Sequence, residues 1–327
     1  MENSTMLNAM IQRVMTEESF LGRIGMSEQE MKTFLKEQKM REICVDLLAF
    51  VSREGRFISQ NVLKATEDLL NTMSPVPKEG RLINAYNSVL FYLFPEKKVF
   101  FDDSEQISKS RLFFLQLLKA LYKYERKTLP FDPTVDFCLL SRDETDAGEY
   151  EEEYLKLLEL SDTRYLYEFM RLGVDLTPFN TLGHIAGVHY VAMHAARQLS
   201  SLRIPVDLGL VSGAAAGHDI GKYGCKKSEE KRVPYLHYYY TDLCFNRFGM
   251  PMTGHIAANH STWDLELDNL SVESLLLIYA DFRVKSSRNE EGAEVVRFYD
   301  LEQSFKVILD KLDNVDQAKE HRYRKVY

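Results

Sequence analysis

The sequence feature that most constrains this chain is the hexapeptide Gly217-His218-Asp219-Ile220-Gly221-Lys222. An imidazole beside a carboxylate in an apolar segment would cost several kcal/mol to bury without partners. A divalent metal ion removes that cost, because neutral imidazole and carboxylate are both good ligands for a borderline ion. If His218 and Asp219 hold a metal, the fold must bring further ligands to them from elsewhere in the chain.

Composition and charge limit the classes of protein and partner. The chain has 327 residues and a net charge of -8, with acid concentrated around 143–153, which argues against a nucleic-acid-binding protein. Its four cysteines form no CxxC pair, so we expect reduced thiols in a cytoplasmic protein. We expect no signal peptide, because residues 1–4 lack a basic segment followed by an apolar one, and no apolar run reaches the roughly 20 residues of a membrane span. We therefore expect no membrane partner.

Apolar residues recur at helical spacing through most of the chain, and no segment shows a convincing strand pattern. We therefore expect an all-α fold. Ser27 and Glu30 match a capping box at a helix start, and Ser59 could cap a second helix before a break at 75–77. Further helices are predicted through Leu82–Leu93, Leu112–Leu121 and Glu151–Leu172.

A polar connection over residues 126–150 divides the chain. It predicts a helical N-terminal region at 1–150 and a second domain at 151–327. The first region carries no chemical motif, and its helices offer a surface for a partner. Its aromatic residues Tyr86, Phe91, Tyr92 and Phe94 are predicted to fill the core rather than to line a ligand groove. The acidic run is predicted to be a solvated face.

Helical phase separates ligand candidates from other histidines before the His-Asp pair. His184 shares an apolar face with Val188 and Val191, so it is predicted to point inward at the start of a core helix. His189 and His194 fall off that face and are predicted to be peripheral.

Small residues then lead into His218, and the turn at 203–205 predicts an antiparallel helical hairpin. The hairpin would bring His184 to His218 and Asp219, which makes His184 a predicted metal ligand.

Further candidates follow the pair. His237 comes after a basic loop. His255 and His260 lie about 140° apart around a helix, so they cannot share one face. With apolar Ile256 one turn before it, His260 is the predicted inward ligand, and His255 is predicted on the rim, in reach of a substrate. Asp281 ends an apolar helical run, where a carboxylate without a neutralising partner is out of place, and is the last predicted ligand.

In this order the candidates resemble the H…HD…D pattern of the HD superfamily of metal-dependent phosphohydrolases, over about residues 180–290. Within it the chain is most similar to the bacterial hydrolases that split diadenosine tetraphosphate symmetrically. The matching motifs are Leu236-His237, His260-Ser261-Thr262, and Ala280-Asp281 with Arg288 seven residues on. The resemblance implies an HD-domain helical bundle, to which the helical N-terminal region is an addition.

The resemblance also implies a ligand assignment and a reaction. One metal would be held by His184, His218, Asp219 and Asp281, and a second by His237 and His260, with Asp219 bridging. Nitrogen and oxygen ligands without a thiolate suit Fe, Mn, Co or Ni. A metal-activated hydroxide would then attack phosphorus in a small phosphorylated substrate, a nucleotide.

Phosphate oxygens also need cations. Lys222, one turn after His218, is the first candidate, followed by Arg288 and Arg283. For Arg283 an ordinary surface charge is an equal alternative.

Two functions follow from this pattern. The first is a hydrolase that cleaves a phosphoester or phosphoanhydride, with Asp219 and Lys222 in catalysis. The second is a regulatory HD module that binds a nucleotide or protein partner without turnover. An intact series of six ligands favours the enzyme, because a scaffold has no need of it.

Overall fold

Helices dominate the computed structural model, which describes residues 18, 21–22, 27–36, 82–97, 109–141, 144, 148–260, 270–290 and 292–313. The helices are α1 Glu28–Lys36, α2 Leu82–Leu93, α3 Lys109–Thr128, α4 Glu151–Thr163, α5 Leu166–Leu176, α6 Leu182–Ser201, α7 Leu208–Gly217, α8 Val233–Arg247, α9 Pro251–Ala258, α10 Val272–Arg283 and α11 Leu301–Asp313. The prediction of a mainly helical chain is confirmed. None of the described helices is long and apolar enough to cross a membrane.

One segment of the described chain forms a small β-sheet. Strands β1 Val284–Arg288 and β2 Glu294–Phe298 form an antiparallel hairpin with Val284 opposite Phe298. The turn between them is closed by the bond from Asn289 N to Ala293 O, and Gly292 adopts a φ of 81°. The expectation of no strand is wrong for this segment, because strands of five residues with mixed polarity give no alternation long enough to recognise.

The chain forms two compact units, one of residues 1–131 and 160–180 and one of residues 132–159 and 181–327. The boundary between residues 159 and 160 falls inside α4. The division at residue 150 that the sequence suggests stays a prediction.

The first unit contains α1, α2, α3 and α5. At the start of α1, Ser27 N donates to the Glu30 carboxylate and Glu30 N donates to Ser27 Oγ, which confirms the capping box. Tyr86 stacks on Phe169 with ring centroids 4.6 Å apart, so Tyr86 lies in the core as predicted. The predicted helix after Ser59 and the break at 75–77 lie outside the described residues.

A single helix was expected over Glu151–Leu172, and the structure corrects this to two. Tyr165 adopts a φ of 60°, in the left-handed region, and separates α4 from α5. The sequence has neither glycine nor proline at this break. At the break the ring of Tyr165 is buried, and its hydroxyl accepts a hydrogen bond from Gln116 Nε2.

The second unit is arranged around α6, which is buried from Leu182 to His189. A Cβ atom on Gly183 would lie 2.7 Å from Val296 Cγ2, and one on Gly187 would lie 2.8 Å from Val284 Cγ1. The two glycines, one helical turn apart, therefore let the β-hairpin lie directly on α6.

His189 contradicts the prediction that it is peripheral. It is fully buried, with Nε2 3.0 Å from Ser212 Oγ and Nδ1 3.6 Å from Cys138 Sγ. The ring of Phe137 also contacts it, so a segment remote in sequence covers a face of α6 that helical phase assigns to solvent. His194 is exposed, as predicted.

The acidic run is not wholly a solvated face. Glu153 is buried and accepts hydrogen bonds from Met252 N at 3.1 Å and from Thr253 N at 2.8 Å. It therefore caps the start of α9.

Candidate metal centre

The six predicted ligands meet in the second unit, where all six are buried. They come from separate places in the sequence: the first turn of α6, the turn after α7, the helix α8, the second residue after α9, and the last third of α10. In that order they are His184, then His218 and Asp219, then His237, His260 and Asp281.

The turn that carries His218 and Asp219 depends on Gly221. A Cβ atom there would lie 2.1 Å from the carbonyl oxygen of His237 and 2.6 Å from Thr241 N, so only glycine allows the turn to approach α8. Thr241 Oγ1 accepts a hydrogen bond from Gly221 N and donates one to His218 O, both at 3.1 Å. The turn is thereby fixed against the helix that carries His237.

Asp219 lies at the middle of the cluster, and its two oxygens face different pairs of imidazoles. Oδ2 is 3.7 Å from His184 Nε2 and 3.8 Å from His218 Nε2. Oδ1 is 3.5 Å from His237 Nε2 and 3.9 Å from His260 Nε2. One carboxylate is thus shared between two sets of nitrogen ligands.

Asp281 completes the first of these sets. Its Oδ1 lies 3.0 Å from His184 Nε2. Two groups have ligand atoms all within 4.8 Å of one another: one is His184, His218 and Asp281, and the other is His218, Asp219 and His260. Either group of buried side chains could hold a metal ion.

Hydrogen bonds at Nδ1 set the tautomers of three histidines. The Nδ1 atoms of His218, His237 and His260 lie 3.0, 2.7 and 2.5 Å from backbone carbonyl oxygens of Ala215, Val233 and Ala257. A carbonyl only accepts, so each Nδ1 carries the proton and donates it. Each Nε2 is left with its lone pair, as a metal ligand needs.

Three atoms of the predicted ligands are buried without a hydrogen-bond partner in the described part of the chain: His184 Nδ1, His218 Nε2 and Asp219 Oδ1. With the His218 proton on Nδ1 and the Asp219 carboxyl ionised, His218 Nε2 and Asp219 Oδ1 are acceptors that a cation can satisfy. The residues present therefore fit a bound metal ion.

The electrostatics keep the ligands in their binding forms. Burial lowers the pKa of His218 to about 3 and that of His237 to about 4, and it also lowers the pKa of His260.

Burial alone would raise the pKa of Asp219, but the ammonium group of Lys222 beside it holds that pKa well below its usual range. Burial would likewise raise the pKa of Asp281, but the hydrogen bond from His184 and the charge of Lys285 keep it low. At neutral pH the site therefore presents neutral imidazoles at His218, His237 and His260 and ionised carboxylates at Asp219 and Asp281.

Two lysines border the cluster. Lys222 Nζ lies 2.5 Å from Asp219 Oδ2. Lys285 Nζ donates to the backbone carbonyl of Asp281 at 2.8 Å and lies 3.6 Å from Asp281 Oδ2. Sequence reasoning missed Lys285, although its position four residues after a predicted ligand was a usable signal.

Three predicted substrate-binding residues lie outside the buried cluster. Arg283 donates from Nε to Tyr299 O at 2.6 Å and from Nη1 to the Tyr279 hydroxyl. His255 is exposed and hydrogen-bonded to Asn259, and Arg288 is exposed at the end of β1. Their contacts with a substrate stay predictions. Ser261 and Thr262, part of the motif after His260, lie outside the described residues.

Tyr238 and Thr181 are further residues at the site that the sequence did not suggest. The Tyr238 ring contacts those of His237 and His260, with centroids 3.8 and 4.9 Å away. Thr181 Oγ1 lies 3.5 Å from Asp219 Oδ2 and donates to it. Both help to hold the ligands in place.

Comparison with protein-family models, with curated proteins and with solved structures gives no match to this chain.

Proposed function

We propose that this protein is a metal-dependent phosphohydrolase of the HD type, cleaving a phosphoester or phosphoanhydride of a small phosphorylated substrate such as a nucleotide. The observation that carries the proposal is the carboxylate of Asp219, each of whose oxygens faces its own pair of imidazoles. A carboxylate shared in this way is typical of a bridging ligand in a two-metal site.

In the proposed centre, His184, His218, Asp281 and Asp219 would hold one ion. His237, His260 and the same Asp219 carboxylate would hold the second. The ligand atoms of His218, Asp219 and His260 lie within 4.8 Å of one another, so distance alone would assign His218 to the second ion. We favour His237 for the second ion, because its Nε2 lies nearer Asp219 Oδ1 than that of His260 does, while His218 faces Oδ2.

The donor set suits Fe, Mn, Co or Ni, since it contains no thiolate. When bound, two such ions would supply an acidified water as nucleophile and positive charge for the attacking and leaving oxygens of a phosphoryl transfer. The protein holds the imidazoles of His218, His237 and His260 neutral and both carboxylates ionised, and it buries the ligands away from bulk water.

Lys222 and Lys285 are the proposed phosphate-binding groups. Both ammonium groups lie beside a ligand carboxylate, and both side chains are partly exposed. An ammonium at the edge of the metal centre can donate to phosphate oxygens of a substrate that reaches the ions.

A phosphate-release screen tests the proposal. The intact chain is incubated with mononucleotides, dinucleoside polyphosphates and simple phosphomonoesters, in the presence of Mn, Fe, Co or Ni. We expect release with at least one metal and substrate, and its loss in Asp219→Ala. Asp242→Ala, the same change at an aspartate whose carboxylate bonds Asn246, is the matched control and should stay active. Nucleotide binding by the metal-loaded chain with no release from any substrate would instead favour the regulatory module.

A further inference from the structure

The start of helix α6 lacks a cap from its own residues. Thr181 occupies the N-cap position, but within the described residues its side chain makes no capping hydrogen bond. Its hydroxyl points instead to Asp219 Oδ2. The first backbone N–H groups of a helix have no partner inside the helix, so a buried helix start needs acceptors from elsewhere.

Glu294 supplies them from the β-hairpin. Its Oε2 accepts a hydrogen bond from Gly183 N at 2.9 Å, and its Oε1 accepts one from His184 N at 3.2 Å. A carboxylate is well suited to this place, because the N-terminal end of a helix is positively polarised. The residue that takes the place of the N-cap therefore lies 110 positions after His184 in the sequence.

The hairpin approaches closely enough to do this because α6 carries glycine at the contact. A Cβ atom on Gly183 would lie 3.0 Å from Glu294 Oε2, as well as colliding with Val296. Strand β1 follows directly from α10, which carries Asp281. The segment α10–β1–β2 therefore contacts His184 at two points. Asp281 is hydrogen-bonded to its imidazole, and Glu294 accepts a hydrogen bond from its backbone N–H.

We propose that Glu294 is a positioning residue of the metal centre, which fixes His184 as a ligand of the ion that His218 and Asp281 share. The inference rests on the proposed metal centre. It adds that the affinity for this one ion depends on a carboxylate that bonds only the backbone of a ligand. The reason is that the orientation of a ligand side chain affects the affinity of the site for its metal. The ion at His237 and His260 does not depend on it, since those residues lie on other elements.

A purely structural cap would behave differently, and Glu153 shows how. It also accepts hydrogen bonds from two backbone N–H groups, those of Met252 and Thr253, at the start of α9. No proposed ligand lies in the first turn of α9, because His260 comes after the helix has ended. Glu153→Gln is therefore the matched control for Glu294→Gln.

The test is a titration of the intact chain with Co²⁺, followed by the visible absorption of the bound ion, together with thermal melting. Wild type should bind two ions. Glu294→Gln should weaken one of them by roughly 10- to 100-fold and leave the other unchanged. Glu153→Gln should lower the melting temperature without changing either affinity. Glu294→Asp, which keeps the charge with a shorter reach, should fold and weaken the same ion by a smaller factor.

The outcomes separate the two proposals. If wild type binds two ions and neither Glu294 variant alters one of them selectively, Glu294 is only a structural cap and this inference is wrong. An equal loss of affinity in Glu294→Gln and Glu153→Gln would overturn it as well. If wild type binds no Co²⁺, the metal centre itself is wrong and the inference is lost with it.

Discussion

Among the glycines of the described residues, Gly221 leaves the least room for a side chain. Its Cα faces the backbone of α8 so closely that an added methyl group would meet a carbonyl oxygen at 2.1 Å. Gly221→Ala must push the His218–Asp219 turn away from His237. We expect a loss of about 3 kcal/mol or more in the free energy of unfolding, measured by urea denaturation, together with loss of metal binding. Gly22→Ala, at a position with open space around it, should change neither, and equal small effects in both variants would contradict the geometry.

A second prediction at the residue scale concerns the two lysines beside the cluster, Lys222 and Lys285. Lys222→Ala and Lys285→Ala should each lower turnover of the substrate found by the screen, by about 100-fold for the stronger of the two. Metal content should stay at the wild-type level, because neither ammonium is a ligand. Lys306→Ala, which removes an exposed lysine paired with Glu302, is the control. Loss of metal in Lys222→Ala would mean that this residue supports Asp219 and does not bind phosphate.

The residues that the sequence identified share a property that the missed ones lack. His184 and Asp281 are polar residues inside apolar helical patterns, so the pattern itself predicts that they point inward. His260 was assigned by helical phase as well, although it lies two residues after the end of α9. Glu294 and Lys285 sit in a short hairpin with no such pattern. The role of Glu294 depends on a contact between segments about a hundred residues apart, which no local spacing encodes. His189 was misplaced for the same reason, since the segment at 137–138 that covers it is distant in sequence.

At the scale of elements, α5 carries a buried glutamate, Glu168, whose ionisation should make the free energy of unfolding depend on pH. Burial raises the pKa of Glu168 to about 7, and its Oε2 has no hydrogen-bond partner in the described part of the chain. Well below pH 4.5, the ordinary pKa of a glutamate, the carboxyl is protonated in both the folded and the unfolded chain. As the pH rises towards 7 the unfolded chain releases the proton first, so the free energy of unfolding falls, by roughly 3 kcal/mol in all.

Glu168→Gln should remove this dependence. Relative to wild type, the variant should be more stable at pH 8 than at pH 5 by about 3 kcal/mol, measured by urea unfolding at the two pH values. Glu302→Gln, at an exposed glutamate of α11, should show no such difference. A Glu168→Gln effect that is the same at both pH values would mean that the carboxyl is not buried in its neutral form.

The helices were predictable and their interruptions were not. Periodic apolar residues predict α2, α3 and α6, because burial of one face is what stabilises a helix in a protein. The break at Tyr165 could not be predicted in this way, because no glycine or proline marks it. Tyr165 adopts a left-handed conformation there, and its ring is buried. The hairpin was missed because its strands are short and are stabilised by packing on Gly183 and Gly187 rather than by their own pattern.

At the scale of the whole molecule, the candidate site lies within the second compact unit. Its ligands come from elements that span 184–281, so the site exists only when that unit is folded. Metal binding and folding should therefore be linked, and bound metal should raise the melting temperature of the unit. The first unit contributes none of the six predicted ligands. The prediction that the helices of residues 1–150 offer a surface for a partner is independent of the metal centre.

The number of ligands also argues for two ions. His184, His218, Asp219 and Asp281 suffice for one, and two more buried imidazoles would be costly without a second ion to bind. His237→Ala and His260→Ala should each leave the chain with one ion, because they remove ligands from only one side of Asp219. Anomalous diffraction from crystals of these variants would locate the remaining ion, expected beside His184 and Asp281. Full hydrolytic activity with a single ion in both variants would favour a mononuclear site.

Elemental analysis of the purified chain, before and after Asp219→Ala, tests the account most directly. Asp219 faces all four imidazoles, so its loss should remove a ligand from both ions at once. We predict two equivalents of Mn, Fe, Co or Ni per wild-type chain, and almost none in Asp219→Ala, with a lower melting temperature. A variant that keeps the wild-type metal content and melting temperature would contradict the proposal that these residues form a metal centre.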